Sequence, residues 1–393
     1  MPAATRSSGT SSPAISRPFA PEAEPMNFEF SDEQVMLRDS LSRMLDQRYA
    51  FESRRRIMAG QAETGIWSEL VDMGIVAMPL PEACGGLGGS ASDIVAISEL
   101  FGRHLVIEPL LPSVILTGRA LARFDPAGPV PRWIADIGTG ALRGAFAHEE
   151  GSGTGASSTL STKLYEGEAG PRIRGSKKLV LGGGEAGVLL ISALSETKAV
   201  CLAAVPADAE GIEVRRYRAL DGRPVADILF HDVAVDRAAI MAGADAALEA
   251  LLADARLALA AEAVGAMAVL MATTADFAGT REQFGRPIGS FQAIAHRLAD
   301  MKIAYVKARA SLLYIAALAD SGRATSRDIS VLKAQVGRLG REIAQGAVQI
   351  HGGIGMTDEL PVGHYLKHIL TIDGLFGNTD YHLREIGRVV ASA

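Results

Sequence analysis

The chain reads Arg281-Glu282-Gln283-Phe284-Gly285-Arg286-Pro287-Ile288 after a long apolar segment, and this motif continues through Phe291-Gln292-Ala293-Ile294. A second motif, Gln349-Ile350-His351-Gly352-Gly353-Ile354-Gly355, follows further along the same region. Either motif alone could occur by chance, whereas the two together in this order are highly specific. The pair therefore decides the fold assignment.

The hydrophobic pattern around these motifs divides the chain into three parts. Before residue 133 it is helical, and Ser31 followed by Glu33 and Gln34 marks a helix start. Short runs at 172–181, 187–193, 199–205, 211–217 and 226–231 are separated by Gly, Asp and Pro, which is typical of antiparallel strands. From Ala239 onward the pattern is helical again, and one helix face carries Leu332, Val336, Leu339, Ile343, Ala347 and Ile350.

A length of 393 residues suits two or three domains. Residues 1–25 are rich in Ser, Pro and Ala without periodicity, and they are predicted to be a disordered extension without a signal peptide. The predicted domains are an N-terminal helical domain at 26–135, a middle β domain at 136–240 and a C-terminal helical domain at 241–393. The expected fold class is α+β, mainly α.

Composition excludes several classes of function. The formal net charge is -6 and no basic stripe occurs, so neither nucleic acid nor an anionic membrane surface is an expected partner. The apolar stretch 246–270 is interrupted by charged residues and is predicted to be a buried helix, not a membrane span. Cys84 and Cys201 lack metal-ligand spacing, so we expect no disulfide and no metal, and the cysteine count favours the cytoplasm.

Together with the loop Pro81-Glu82-Ala83-Cys84-Gly85-Gly86-Leu87-Gly88, the two motifs give the chain a resemblance to the acyl-CoA dehydrogenase family over residues 27–393. The resemblance implies a helical domain, an antiparallel β-barrel domain and a four-helix domain. It also implies FAD, bound between the β domain and the C-terminal helices, with a neighbouring subunit completing the site. In that family a glutamate removes the α-proton of an acyl-CoA thioester and the β-hydride passes to the flavin.

The same resemblance assigns cofactor-binding roles to five residues. Arg281 would bind the FAD pyrophosphate across a dimer interface, because a guanidinium suits phosphate geometrically. Gln349 and Gly353 would line the adenosine half, and Phe284 and Thr379 would lie near the cofactor. Two alternatives stay open: Arg281 as an ordinary surface charge, and the glycine-rich run 352–355 as a helix C-cap and turn.

No catalytic or metal role is assigned to the other polar residues near the motifs. Gln292 and His296 are interpreted as ordinary residues of the helical domain. His351, His364 and His368 lack convincing metal spacing and are interpreted as histidines whose hydrogen bonds are satisfied within the fold.

The catalytic base is missing from both positions where the family carries it. Phe376-Gly377-Asn378-Thr379 matches the family's Tyr-Glu-Gly-Thr, so Gly377 replaces the glutamate. The alternative position, just before an arginine on a long helix, is Ala255. Asp254 is rotated by about 100° from that position, and Glu262 lies two turns further on. Each is either a relocated base or an ion-paired helix residue.

The flavin-ring contacts are altered as well. The family's Thr-Glu-Pro-x-x-Gly-Ser-Asp is replaced by residues 148–155, His-Glu-Glu-Gly-Ser-Gly-Thr-Gly. Leu179 and Leu181 stand where the family places Trp and Thr against the isoalloxazine ring. Backbone contacts to the ring could survive these changes, but the indole and hydroxyl contacts could not.

Residues that reach into a neighbour's FAD site are kept, while those that build the chain's own ring pocket and base are lost. This asymmetry predicts the base-lacking subunit of an α2β2 acyl-CoA dehydrogenase. The segments 355–365 and 375–383 resemble small subunits such as that of pimeloyl-CoA dehydrogenase.

The expected partners are a catalytic acyl-CoA dehydrogenase subunit, an acyl-CoA substrate and electron-transfer flavoprotein. The alternatives are a homomeric dehydrogenase with a relocated base, a non-catalytic partner subunit, and a flavin monooxygenase on the same fold. The sequence does not indicate which acyl group is oxidised.

Overall fold

The computed structural model describes residues 30–59, 65–151 and 160–391. The predicted disordered extension at residues 1–25 lies outside these described residues. The element order is helical, then β, then helical, which confirms the predicted fold class.

The N-terminal part is helical. Ser31 begins the first helix with a capping box, because its hydroxyl accepts from the Gln34 backbone N–H while the Gln34 side chain accepts from the Ser31 N–H. Ser90 caps the helix Ala91–His104 in the same way through Asp93. The elements are α1 (Asp32–Arg48), α2 (Phe51–Met58), α3 (Ile66–Asp72), α4 (Ala91–His104), a π-helical segment (Leu110–Gly118), α5 (Arg119–Leu121) and α6 (Val130–Gly138).

The middle part is an eight-stranded sheet. Its strands are β1 (Gly144–Ala147), β2 (Lys163–Gly167), β3 (Gly170–Leu181), β4 (Val188–Leu194), β5 (Val200–Pro206), β6 (Ile212–Arg218), β7 (Pro224–Ala234) and β8 (Ile240–Ala242). They follow the order β6-β7-β3-β2-β4-β5-β8, and β1 pairs with β4. Most pairings are antiparallel as expected, but β4 pairs in parallel with both β1 and β2. The five predicted strands correspond to β3 through β7.

The C-terminal part contains five helices between residues 245 and 391, one more than the expected four. They are α7 (Asp245–Thr280), α8 (Gln292–Asp320), α9 (Ser326–His351), α10 (Pro361–Gly374) and α11 (Thr379–Ala391). A short hairpin of β9 (Glu282–Gln283) and β10 (Arg286–Pro287) connects α7 to α8. The extra helix arises because the turn that contains Gly377 separates α10 from α11.

Helix α7 forms the centre of the core. It is long and apolar enough to cross a membrane, but 72% of its most apolar stretch is buried inside the protein, as in a core helix. Two glycines let it contact α4 backbone to backbone. A Cβ atom on Gly102 would lie 1.8 Å from the Glu262 carbonyl oxygen, and one on Gly265 would lie 1.9 Å from the Glu99 carbonyl oxygen. This close approach places Glu262 beside the N-terminal helices.

Candidate functional site

The two sequence motifs meet where α7 and α9 end. The Phe277 ring stacks on the His351 ring, with centroids 4.3 Å apart and planes inclined by 22°. Phe277 precedes Arg281 by one helical turn, and His351 stands two residues before Gly353. The stacking therefore brings the predicted pyrophosphate-binding segment next to the predicted adenosine-binding segment.

Four of the five predicted cofactor-binding residues lie on this surface and are exposed. Arg281, Gln349 and Gly353 are exposed, and the Phe284 side chain is 93% exposed. A Cβ atom on Gly353 would meet nothing within 4 Å in this chain. We call Arg281, Phe284, Gln349 and Gly353 the outward cofactor surface, because each side chain or backbone faces away from its own subunit's core.

The loop that carries Phe284 has a restrained shape. Phe284 has φ 52°, a left-handed conformation that side-chain-bearing residues rarely adopt. Its ring makes an edge-to-face contact with Phe291 at 6.1 Å, and the Arg286 guanidinium lies 4.1 Å from the Phe291 ring centroid. These contacts hold an exposed aromatic ring in a defined place, a feature typical of a binding surface.

The glycine-rich run 352–355 begins with a helix C-cap and turn, which was the alternative interpretation of this run. Gly352 is the C-cap of α9 with φ 67°, and a 3₁₀ turn (Gly352–Met356) follows. The cap explains Gly352, but not the open space beside Gly353.

The fifth predicted residue, Thr379, has a local role in this chain. It is the first residue of α11, and its hydroxyl donates to Asp373 Oδ1 at 2.7 Å. The other carboxylate oxygen of Asp373 accepts from Arg341 at 2.6 Å. Thr379 therefore helps to fix the turn between α10 and α11.

Neither usual base position carries a carboxylate, and Gly377 could not hold one in this conformation. Gly377 has φ 99°, and a Cβ atom there would lie 2.5 Å from Tyr381 Cδ1 and 2.7 Å from His382 Nε2. Ala255 is fully buried in the core. The rings of Tyr381 and His382 thus occupy the space into which a glutamate at residue 377 would begin to extend.

Both candidate relocated bases are paired with arginines. Asp254 Oδ2 lies 3.1 Å from Arg119 Nε on α5. Burial raises the pKa of Asp254, although Arg119 opposes this rise. Glu262 Oε2 accepts a hydrogen bond from Arg223 Nη2. Asp254 and Glu262 therefore both form ion pairs, as one of the two interpretations of these residues predicted.

Glu262 and Arg223 line a partly open cavity between α4, the π-helical segment, β3 and α7. Its walls also include Ser98, Glu108, Pro112 and Leu181.

Leu181 is the residue that replaces the family's ring-contacting Thr, so we call this space the ring-side cavity. Leu179, which replaces the Trp, is half-buried and has φ 51°. The ring-side cavity is thus bordered by a leucine and an ion pair.

The ion pair belongs to a larger buried network. Arg223 Nε donates to Asp221 Oδ2 at 2.9 Å, and His368 Nδ1 lies 3.1 Å from the same oxygen. Burial alone would raise the pKa of Asp221, but Arg223 and His368 outweigh it and lower the pKa to about 2. Burial also lowers the pKa of His368, so its imidazole is neutral near pH 7. The network pairs two carboxylates, Asp221 and Glu262, with the one guanidinium of Arg223 and keeps Asp221 ionised.

A second arginine, Arg54, joins this network to the other domains. Its side chain is buried, with 1% of the residue exposed. Nε donates to the Leu105 carbonyl at 2.9 Å, and Nη2 donates to the Asp221 carbonyl at 2.8 Å. Nη1 lies 3.3 Å from His364 Nδ1 on α10. One guanidinium therefore contacts the N-terminal helices, the β6–β7 turn and the C-terminal helices.

Arg54 and Arg223 were missed by sequence reasoning. Arg223 contacts Glu262 from 39 positions away and His368 from 145 positions away. Arg54 contacts His364 from 310 positions away. Neither residue lies in a motif, so no local signal could identify it.

His351 and His364 behave as interpreted, whereas His368 Nε2 is buried and has no hydrogen-bond partner among the described residues. His351 Nδ1 lies 2.9 Å from the Ala347 carbonyl, while His364 and His368 belong to the buried network. Within residues 30–59, 65–151 and 160–391, no cluster of three His, Cys, Asp or Glu side chains could hold a metal ion. In the same ranges both cysteines are free thiols.

The described part of the segment that replaces Thr-Glu-Pro-x-x-Gly-Ser-Asp forms an internal ion pair. Lys177 Nζ is fully buried and donates to Glu150 Oε1 at 2.7 Å and to the His148 carbonyl at 3.1 Å. Burial lowers the pKa of Lys177 to about 8. Burial would raise the pKa of Glu150, but Lys177 outweighs it and lowers the pKa to about 2. Lys177 and Glu150 therefore form an ion pair that lies within the β domain.

Comparison with known proteins agrees with this architecture. The model of the acyl-CoA dehydrogenase N-terminal domain matches residues 31–124, and that of the C-terminal domain matches residues 241–391. The fold and the paired motifs thus define a flavoenzyme-type chain of three domains. The protein belongs to the acyl-CoA dehydrogenase family.

Among its relatives is the acyl-CoA dehydrogenase FadE27 of Mycobacterium tuberculosis, which is 30% identical over 83% of this chain and 88% of that protein. The NADH-dependent acryloyl-CoA reductase of Anaerotignum propionicum is 24% identical over 93% of this chain and 96% of its own length. Among solved structures, the ChsE4–ChsE5 complex of Mycobacterium tuberculosis has a chain that superposes with a TM-score of 0.86 at 26% identity. The superposition covers 94% of this chain and all of that one.

Proposed function

We propose that this chain is the base-lacking subunit of a heteromeric, FAD-dependent acyl-CoA dehydrogenase that introduces an α,β double bond into an acyl-CoA thioester. The observation that carries the proposal is the contrast between two regions. The outward cofactor surface is intact and exposed, while the Gly377 position is closed by Tyr381 and His382. A chain with these properties completes a site whose base belongs to another subunit.

The outward cofactor surface suits FAD held by a neighbour. Arg281 offers a guanidinium to a pyrophosphate, and charge-assisted hydrogen bonds of this kind are among the stronger ones. Phe284 offers an exposed apolar ring, and Gly353 lets a ligand approach the backbone closely. FAD, when bound, would supply the acceptor for the β-hydride. The solved FAD complex of PigA shares the fold at 23% identity and a TM-score of 0.85.

The chain's own ring-side cavity fits the flavin ring and acyl group poorly. Leu181 provides no hydroxyl, and the Arg223–Glu262 ion pair lies in its wall. Removing one member of a buried ion pair to make room would leave an uncompensated charge. The ring contacts and the base are therefore assigned to the partner subunit.

Glu262 and Asp254 do not compensate for the missing base. An α-proton acceptor must be free to reach the substrate, whereas each of these carboxylates is held against an arginine. Asp254 is paired with Arg119, and Glu262 with Arg223. Their pairing favours the heteromeric assignment over a homomeric enzyme with a relocated base.

The ChsE4–ChsE5 structure supports the existence of complexes between different chains on this fold. The family resemblance extends the proposal to electron-transfer flavoprotein as the oxidant of the reduced flavin. The α2β2 stoichiometry likewise rests on the resemblance to small subunits of heteromeric enzymes.

Co-expression with the product of the adjacent gene tests the proposal. We expect a complex of two different chains that carries flavin and is reduced by an acyl-CoA, while this chain purified alone shows no such reduction. A yellow homotetramer reduced by acyl-CoA would overturn the assignment in favour of a relocated base. A flavin-free complex would indicate a non-catalytic partner, and oxygen insertion into a substrate that is not a thioester would indicate a monooxygenase.

A further inference from the structure

Lys333 on α9 is a buried cation outside the motifs. Only 1% of the residue is exposed, and its Nζ donates three hydrogen bonds, all to backbone carbonyls. The acceptors are Ile372 O at 2.8 Å, Asp373 O at 3.0 Å and Gly377 O at 3.0 Å. An ammonium group has three donors, so all of them are used.

We propose that Lys333 is a positioning residue that fixes the turn Gly374–Asn378, the turn that replaces the catalytic glutamate in this chain. The first two acceptors belong to the last residues of α10, where the free carbonyls and the helix dipole favour a cation. The third belongs to Gly377 itself. One ammonium group thereby joins the end of α10 to the residue at the base position.

The turn requires such support because two consecutive residues are left-handed. Phe376 has φ 53° and Gly377 has φ 99°. A non-glycine residue in this region is strained and persists where its surroundings hold it. The Phe376 carbonyl accepts from Arg256 Nε on α7 at 3.0 Å, next to the Gly377 carbonyl held by Lys333. Cations from two different helices therefore hold adjacent carbonyls of the strained turn.

The groups facing Lys333 leave its charge only partly balanced. Asp373 on α10 carries the opposite charge to Lys333, but its carboxylate also binds Arg341. Arg256 on α7 and His382 on α11 also interact electrostatically with Lys333, and neither supplies a negative charge. Burial lowers the pKa of Lys333 to about 7, and Arg256 adds to this effect while Asp373 opposes it. A buried, incompletely balanced cation is costly. Its hydrogen bonds to the turn are what offset that cost.

The consequence for the site rests on the proposed function. If the partner subunit supplies the base, this turn contributes backbone shape alone, and Lys333 keeps that shape fixed. The inference about the turn itself concerns this chain's own residues and does not need flavin or turnover to be tested.

The experiment compares Lys333→Met with Lys307→Met, which removes an exposed lysine on the neighbouring helix α8. Hydrogen–deuterium exchange is followed in the peptide spanning residues 372–382 of the full chain, in complex with its partner where one is required. In Lys333→Met we expect exchange in this peptide to be at least about tenfold faster, since the loss of even one of the three well-formed hydrogen bonds gives a factor of that order. Exchange elsewhere should be unchanged, and Lys307→Met should match the wild type.

A pH profile detects the buried, ionisable amine of Lys333, which a side chain that only fills space would not provide. Because the folded-state pKa of about 7 lies below the unfolded value of 10.5, the unfolded chain binds more protons in between. The free energy of unfolding should therefore rise with pH from 7 to 10, and this part of the slope should vanish in Lys333→Met.

Unchanged exchange in the turn, or an increase spread evenly over the chain, would overturn the proposal. Where Lys333→Met does not fold, Lys333→Gln, which keeps two N–H donors, takes its place. Failure of both to fold would also count against it, since a residue that positions one turn leaves the remaining core intact. A failed heteromeric assignment would instead appear in the flavin content, with the exchange result unaffected.

Discussion

The Phe277 ring stacks on the His351 ring at 4.3 Å between centroids, and this contact joins the ends of α7 and α9. Phe277→Ala should therefore weaken the alignment of Arg281 with Gly353. Loss of the aromatic pair is expected to cost about 1 kcal/mol beyond the lost burial. Flavin retained by the assembled complex after gel filtration measures the effect. Tyr314→Ala, which removes a half-exposed ring on α8, is the matched control and should retain normal flavin content.

Arg281→Ala should weaken flavin retention in the complex, because a phosphate would lose its charged partner. Hydrogen bonds to charged groups contribute about 1.5–3 kcal/mol. Arg323→Ala, at an exposed arginine in the loop after α8, should leave retention unchanged. Equal retention in both variants would mean that Arg281 is an ordinary surface charge.

Gly377→Glu should fail to create a working base and should destabilise the chain. The residue has φ 99°, and the new Cβ atom would collide with Tyr381 and His382. Thermal unfolding and acyl-CoA-dependent flavin reduction by the chain alone measure the two effects. Gly374→Ala is the control, because a Cβ atom there meets nothing within 4 Å. Turnover by Gly377→Glu at a rate near that of the complex would show that the ring-side cavity is competent after all.

Glu262→Gln should destabilise the protein without abolishing turnover by the complex. Removing one partner of a buried pair leaves the other charge uncompensated and typically costs about 3–5 kcal/mol. Asp221 still faces Arg223, so we expect the lower end of that range. Urea unfolding measures the loss, with the exposed Glu249→Gln on the same helix as control. Complete loss of flavin reduction in a folded Glu262→Gln complex would identify Glu262 as a relocated base.

The Lys177–Glu150 pair predicts a pH dependence of stability within the β domain. The folded pKa of Glu150 is about 2, below its ordinary value of 4.5, so its contribution is present above pH 4.5 and is lost as the pH falls towards 2. Glu150→Gln should remove this acid-limb contribution and lower stability at pH 7, because the buried Lys177 then loses its hydrogen-bonded counter-charge. The free energy of unfolding between pH 3 and pH 7 measures both effects. Glu168→Gln, at an exposed glutamate, should show the wild-type slope.

Sequence patterns were sufficient for elements defined by local signals. The capping box at Ser31, the strands β3 to β7 and the buried face of α9 follow from residue spacing and side-chain chemistry. The parallel pairing of β4 with β1 and β2 did not, because register between distant strands is set by tertiary packing.

The residues of the candidate site also fall into two groups, those that belong to sequence motifs and those that act through long-range contacts. Arg281, Phe284, Gln349 and Gly353 belong to motifs and were predicted, and the structure puts all four on one exposed surface. Arg54, Arg223 and Lys333 act through contacts made across the folded core, which no local pattern encodes. The cofactor roles of the predicted residues stay predictions until flavin binding is measured.

Arg54 has a consequence for how the chain is made. Its guanidinium contacts the Leu105 carbonyl, the Asp221 carbonyl and the His364 ring. His364 is the last of these to be synthesised, and it emerges from the ribosome long after Arg54. Until α10 has been synthesised, Arg54 lacks its contact with His364. A truncation product that stops before α10 would keep this defect permanently. All contacts of Arg54 are therefore in place only after the three parts of the chain have been synthesised.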